Sequence, residues 1–384
     1  MDMQAVKLHI DERIEAGLLP GAVCGVFLDG RPVFTYVSGY ADVERKILLK
    51  ENAVFRLASM TKPVTAAAAL LCEDRGLLHI EDKVSRYLPA FSHMKVGRME
   101  NGRPIEAREA SREITLYDVL THSSGLGSGE VGAFQYGTRS LPDTLEEAVG
   151  AYAGWLLDFD PASRQCYSAA VAFDLAARIV EIASGMPYAQ FLEENIFRPL
   201  GMRDTGYTVD DERFARTVKM YRLKDDGSGI QPRDFKRCGF PEFKEGYTGG
   251  SAGLFSTFRD YSLFARMLAG EGEFGGVRIL SKAAVEKMRR PALSHSMEGI
   301  DDFFNWGCGV RVREKQCGDR QPLSDGSFGW SGAFSTHFWV DPKLKLTAVL
   351  MANLNDAGGA DAAASAQFER DVMKELDKQK IALS

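Results

Sequence analysis

The sequence has no surplus of positive charge: 47 Lys and Arg stand against 53 Asp and Glu, a formal net charge of −6. Nucleic acid needs a basic face, so that balance argues against a nucleic-acid partner. The one arginine-bearing stretch, Arg98 to Arg112, is interleaved with Glu100, Glu106 and Glu109 and reads as a solvated surface. Cysteine and histidine are scarce, six of each. Cys24, Cys72, Cys166, Cys238, Cys308 and Cys317 contain no Cys-x-x-Cys pair and no zinc-like spacing with histidine, so no metal is expected. Cys24 and Cys72 sit in apolar runs, as small buried hydrophobes do. Long apolar runs are missing too. No window reaches the ~18 uninterrupted apolar residues needed to span a bilayer. Residues 1–20 have an amphipathic helical pattern with Asp11, Glu12 and Glu15 inside it, without the charged head and cleavage site of a secretory signal. A cytoplasmic, reduced protein is the simplest expectation.

What is present is an ordinary globular composition, 45% apolar and 26% charged, in a chain of 384 residues. That length allows two or three folding units, or one large domain carrying an insertion. After the first helix, Ala22–Leu28 and Val33–Ser38 flank an Asp29-Gly30 turn and predict a β-hairpin. Pro63–Leu78 predicts a helix buried nearly all round. Helical patterns follow at Leu116–Thr121, Leu145–Leu157, Ala170–Ser184 and Tyr188–Phe197. In the third, Val171, Leu175, Ile179 and Ile182 recur at helical spacing and Gly185 stands at the C-cap. Residues 97–112 and 224–246 are polar and glycine-containing, and are expected to be long loops. Helices at Asp260–Leu268 and Ser281–Arg289 precede strands at Trp306–Arg313, Ser327–Ser331, Thr336–Val340 and Leu344–Met351, and Ala363–Lys378 predicts a last amphipathic helix. Strands at both ends with helices between imply an α/β (α+β) fold. Residues 1–78 and 206–384 would make one antiparallel sheet flanked by helices, and residues 79–205 an all-helical domain.

Chemistry is suggested by Ser59-Met60-Thr61-Lys62. A serine hydroxyl is a weak nucleophile without a partner. Residues three apart at a helix start share a face, which brings the Lys62 amine beside the Ser59 hydroxyl. The helix N-terminus also favours negative charge developing there. Pro63 disfavours helical geometry at Lys62, a cost that is tolerable near a helix start. The tetrapeptide alone fits equally a serine acting as a plain N-cap. A second copy of the pattern, Ser92-His93-Met94-Lys95, lies in an expected loop, so context favours Ser59. Gly249-Gly250-Ser251-Ala252-Gly253 fits the nucleophile elbow of α/β-hydrolases. That elbow needs a helix at once after the serine, whereas here the helix start reads as Thr257-x-x-Asp260, and the repeated βαβ pattern is missing. A glycine-rich turn is the better reading.

Three separated motifs together resemble those of the class C β-lactamases, the penicillin-binding DD-peptidases and the family VIII carboxylesterases. They are Ser59-x-x-Lys62 within Phe55-Arg56-Leu57-Ala58-Ser59-Met60-Thr61-Lys62-Pro63, Tyr167-Ser168-Ala169 before a helix, and Trp330-Ser331-Gly332 in the C-terminal strands. Thr121-His122-Ser123-Ser124-Gly125-Leu126 and Phe197-Arg198-Pro199-Leu200-Gly201-Met202 resemble family connecting segments. The resemblance implies that Ser59 is the acylated nucleophile, Lys62 its charge partner and proton relay, and Tyr167 the proton-transfer group. It implies an oxyanion hole from the backbone amides of Ser59 and Ala333, with Trp330, Ser331, Gly332 and Ala169 facing substrate. No cofactor is implied. His122 and His337 read as structural.

Two departures from the family pattern bear on substrate. Ala169 stands where an amide side chain is common, and Trp330 replaces the cation that meets a substrate carboxylate. Tryptophan supplies an apolar wall instead. The expectation is therefore a serine hydrolase or acyltransferase acting on small or moderately apolar carboxylic esters. The alternatives are a β-lactamase or D-amino-acid peptidase or amidase, and a catalytically silent binding protein on the same fold. Oligomeric state is left open.

Overall fold

Both ends of the chain enter one sheet. The computed structural model describes residues 1–314, 322–355 and 363–383; Cys317 lies outside them. Eight strands run in the order Phe304–Trp306, Arg311–Arg313, Phe328–Gly332, Thr336–Asp341, Leu346–Ala352, Gly21–Leu28, Arg31–Asp42 and Ile47–Leu48. Every neighbouring pair is antiparallel, and the seam between the two ends runs from Ala22↔Ala352 to Leu28↔Leu346. Gly21–Leu28 is buried on both faces, which is why its sequence is a continuous apolar run rather than an alternation. Ala22, Cys24 and Val26 pack with Val6, Ile10, Phe368 and Val372 of the terminal helices Gln4–Glu15 and Ala363–Leu383. Val23 and Phe27 join a second cluster with Val64 of helix Thr61–Asp74 and Phe258 of helix Phe258–Ala269. That cluster continues into the middle of the chain through Leu116, Leu175 and Ile179.

The predicted helices are present at Leu116–Leu120, Leu145–Tyr152, Ala172–Ser184 and Tyr188–Leu192, the last continuing as a π turn over Glu193–Phe197. Gly185 closes Ala172–Ser184 in the left-handed conformation, as its C-cap position requires. Ile182 is 38% exposed, so the buried stripe ends one turn earlier than the spacing suggests.

Three expectations need correction. Residues 97–112 are not a loop: Lys95–Glu100 and Arg103–Glu109 form a β-hairpin inside the segment expected to be all helical. Its turn is Asn101-Gly102, both at positive φ (50° and 74°), the conformation a two-residue hairpin loop requires. Trp306–Arg313 is not one strand but two, Phe304–Trp306 and Arg311–Arg313, folded back with Trp306 opposite Arg311. Gly309 at φ 73° and a Gly307 N–H to Val310 O bond of 2.9 Å make the turn. Residues 224–246 are not loop throughout: they contain a strand, Ile230–Arg233, paired with Met220–Leu223.

Candidate active site

Ser59 lies in a single 3₁₀ turn, Ala58–Met60, that leads directly into helix Thr61–Asp74. The approach is fixed before the turn is reached. Val54–Arg56 pairs with Phe255–Thr257, Leu57 N–H donates to Leu254 O at 2.9 Å, and the fully buried Tyr261 hydroxyl holds Met60 O at 2.9 Å. The Arg56 guanidinium, buried and stacked on Phe255, donates to the carbonyls of Cys238 and Lys236. With both flanks pinned, Ala58 is held at φ 47°, a left-handed conformation that costs an alanine about 1–2 kcal/mol. Pro63 falls in the first helical turn, where its missing N–H would have had no partner.

Lys62 is 0% exposed, and its Nζ donates to Ser59 Oγ at 3.2 Å, Ala169 O at 2.6 Å and Ser251 O at 2.8 Å. Three acceptors match the three donors of an ammonium. The same Nζ lies 5.0 Å from the centre of the Tyr167 ring. Tyr167 precedes helix Ala172–Ser184, whose start is anchored by Ser168 Oγ accepting from Ala172 N–H. Ser168 N–H in turn donates to His122 Nδ1 at 3.1 Å, which assigns the ring proton to Nε2. Burial, and after it the Lys62 charge, push His122 well below its ordinary value, so this ring is neutral. It packs against Tyr167 at 4.5 Å and Trp306 at 4.4 Å, positioning the tyrosine from behind.

Trp330 Nε1 donates to Tyr167 Oη at 3.2 Å, so one indole both walls the site and contacts the phenol oxygen. Ser331, the next residue, has its hydroxyl engaged away from the phenol. Its Oγ is bonded to His337 Nδ1 at 2.6 Å, and His337 Nε2 to Glu369 Oε1 at 3.0 Å, all three buried. His337 thus ties the third-motif strand to the last helix. Gly332 is required by close approach: a Cβ there would lie 2.2 Å from Leu57 O. Ala333 begins the turn after it, bringing that backbone beside the segment that carries Ser59.

These groups open on a cleft of about 920 Å³. Ser59, Tyr167, Ala169, Trp330, Ser331 and Ala333 line it, with Trp306, Phe240, Ile300 and Phe303 as apolar walls and Glu242, Asp301 and Arg311 as charged groups. Arg311 stacks on Phe304 at 4.0 Å and lies 5.9 Å from the Trp330 ring centre. Trp306 was not singled out in the sequence, although its Gly-flanked position ahead of a turn is a usable signal.

The rival serines sit elsewhere. Ser251 is fully buried, and helix Phe258–Ala269 begins seven residues later behind its N-cap Thr257, which accepts from Asp260 N–H at 3.2 Å. Lys95, of the second tetrapeptide, is paired with Glu106 at 2.8 Å. Cys24, Cys72, Cys166, Cys238 and Cys308 are free thiols. Among the described residues, no helix is long and apolar enough to cross a membrane.

An antiparallel sheet backed by helices, with a cleft-lining serine bonded to a buried lysine at the head of one of them, defines a serine-hydrolase scaffold. The match extends over nearly the whole chain: residues 6–371 fit the beta-lactamase family model, and the protein belongs to that family. Protein Rv1367c of Mycobacterium tuberculosis is 32% identical over 369 residues, 90% of this chain and 88% of the relative. Esterase EstB of Burkholderia gladioli is 28% identical across 89% of this chain and 88% of its own. Among solved structures, EstCE1, described as a hydrolase with promiscuous acyltransferase activity, superposes with a TM-score of 0.81 at 24% identity. That alignment covers 96% of this chain and 98% of the other, and it bears on the fold alone.

Proposed function

We propose that the protein is a serine carboxylic-ester hydrolase or acyltransferase working through an acyl-Ser59 intermediate. The observation that carries this reading is the Lys62 ammonium held between Ser59 Oγ and two carbonyls, with the Tyr167 ring 5.0 Å away, at the floor of an aromatic cleft. Likeness to an esterase over most of both chains supports it. In this reading Tyr167 enters the step as a phenolate: Ser59 Oγ attacks the ester carbonyl as its proton passes to Tyr167 Oη, leaving a neutral phenol. The ammonium beside that pair stabilises the negative charge at each stage. The carbonyl oxygen becomes an oxyanion facing the backbone amides of Ser59 and Ala333. Collapse breaks the C–O bond, Tyr167 returns the proton to the departing alkoxide, and the alcohol leaves. Water or a second alcohol then takes the acyl group by the same steps in reverse.

Trp330, Trp306, Phe240 and Phe303 favour an uncharged, partly apolar acyl or alcohol group, because desolvating an ion against such walls is costly. Arg311 favours a second reading, in which a carboxylate-bearing β-lactam or peptide is held at the same wall. The test is p-nitrophenyl butyrate against a chromogenic cephalosporin on one preparation, with Ser59→Ala as the blank. The ester reading expects the higher kcat/KM for the ester. A higher value for the cephalosporin than for every simple ester tried moves the protein to the second reading.

A further inference from the structure

The Gly249–Gly253 segment resembles a nucleophile elbow but supplies no nucleophile, and its place in the fold asks for another role. Its centre, Ser251, is held from two sides. The Ser251 carbonyl accepts from Lys62 Nζ at 2.8 Å, and the Ser251 N–H donates to Asp174 Oδ1 at 2.8 Å. Asp174 is fully buried in helix Ala172–Ser184, and its second oxygen accepts from the Tyr247 hydroxyl at 2.7 Å. The segment can lie flat on that helix only because it begins with glycines. A Cβ on Gly250 would come within 2.1 Å of Phe173 O, and one on Gly249 within 3.0 Å of Asp174 Oδ1.

Lys62 has only neutral hydrogen-bond partners, which leaves a buried cation without a contacting anion. We propose that Asp174 is the positioning residue of this centre: through Ser251 it aims a carbonyl at Lys62, and its carboxylate is the buried counter-charge to that lysine. This rests on the Ser59–Lys62–Tyr167 reading and adds to it a residue that touches no substrate.

The surroundings are consistent with that role. Burial raises Asp174 above the ordinary carboxylate value, and the Tyr247 hydroxyl, the Ser251 N–H and the Lys62 charge oppose that rise without cancelling it. The other titratable groups facing Asp174 are tyrosines: Tyr247, with Tyr152 and Tyr136 beyond it, and Tyr188 and Tyr207. Burial, and in each case the Asp174 charge, hold all five above the ordinary phenol value, so they stay neutral. Lys62 faces Ser59, Tyr167, the neutral His122 and Asp174. Asp174 is therefore the one anion that these contacts place around Lys62 among the described residues.

Asp174→Asn keeps an acceptor for the Ser251 N–H, turns the Tyr247 contact into an N–H donated to its hydroxyl, and removes the charge. Without that charge the Lys62 cation beside Ser59 and Tyr167 loses its buried counter-ion. kcat should then fall at least about twentyfold with KM within about twofold. Tyr247→Phe removes one hydrogen bond and keeps the charge, so its kcat should stay within about threefold of the parent. A second measurement does not depend on turnover. Asp174→Asn should lower the melting temperature less in a Lys62→Met background than in the parent, because the two charges compensate each other. A kcat within about threefold of the parent in Asp174→Asn, or equal losses of melting temperature in both backgrounds, overturns the proposal. So does failure of Asp174→Asn to fold in both, which would make Asp174 a packing residue. If instead Ser59→Ala still turns over ester, the catalytic reading fails while the melting comparison still judges the charge pair.

Discussion

The chain contains the pattern Ser-x-x-Lys twice, and the two copies have become different objects. At Ser59 the four residues straddle a 3₁₀ turn and a helix start, so positions three apart converge and Lys62 Nζ meets Ser59 Oγ. At Ser92 they run from a turn into the strand Lys95–Glu100, where side chains alternate across the sheet and the lysine points to its neighbour strand. Lys62 is sealed from solvent among hydroxyl and carbonyl oxygens, whereas Lys95 is partly exposed and neutralised by Glu106. The spacing supplies the possibility of chemistry, and the enclosure decides whether it is realised.

Four experiments break or sharpen that contrast. The largest effect should come from Ser59→Ala, with ester turnover down about a thousandfold or more and covalent labelling lost, while Ser92→Ala keeps most activity. Intact-mass analysis after exposure to an activated ester checks both, and an adduct that survives Ser59→Ala and maps to Ser92 or Ser251 reverses the assignment. Next in size are Lys62→Ala and Tyr167→Phe, each expected to lower kcat by roughly a hundredfold or more with folding intact. Groups that act as one unit lose activity together, so the double variant should be little worse than either single one. A Tyr167→Phe rate within about threefold of the parent would make the tyrosine packing.

Trp330→Phe is a gentler probe, since it keeps the apolar wall and deletes the N–H bonded to Tyr167 Oη. The expected loss is about tenfold in kcat with KM little changed, in line with one hydrogen bond of about 1 kcal/mol or slightly more. An unaltered kcat would show that this contact does not persist in turnover. The smallest effect concerns His122. Its folded value lies below the unfolded value near 6.5, so below that pH the unfolded chain takes up a proton that the folded one refuses. Stability should therefore fall as pH drops from about 6.5, by about 1 kcal/mol more at pH 5.5 than in His122→Gln, read from denaturant midpoints at pH 7.5 and 5.5. Equal losses in both proteins would mean the ring is already accessible to protons.

What the sequence made legible was local. Ser59 and Lys62 are adjacent by helical geometry, Thr257 and Asp260 by capping geometry, and Gly21–Leu28 by its unbroken apolar run; each needs only a few residues of context. The hairpin Lys95–Glu109 was missed although Asn101-Gly102 marks it, because its charges and Gly97 mask the alternation. Trp306–Arg313 looked like one strand because Val310 and Val312 continue the apolar pattern across a turn whose only sign is Gly307 and Gly309. Asp174 was invisible for a different reason. A carboxylate on the buried face of helix Ala172–Ser184 is a visible anomaly, but its partners lie at Tyr247 and Ser251, more than seventy positions away. The same holds for Ser331, whose neighbour Glu369 belongs to the last helix.

Because Ala22 pairs with Ala352, the first strands formed have no partner on one edge until nearly the whole chain is available. Such long-range closure is slow, and an unpaired edge attracts other chains while it waits. Lys62 meets Ser251 O and Tyr167 meets Trp330 only across the same long separations. Refolding from denaturant should therefore recover native-like helix signal before any ester turnover appears, and the delay should lengthen with protein concentration as exposed edges find each other.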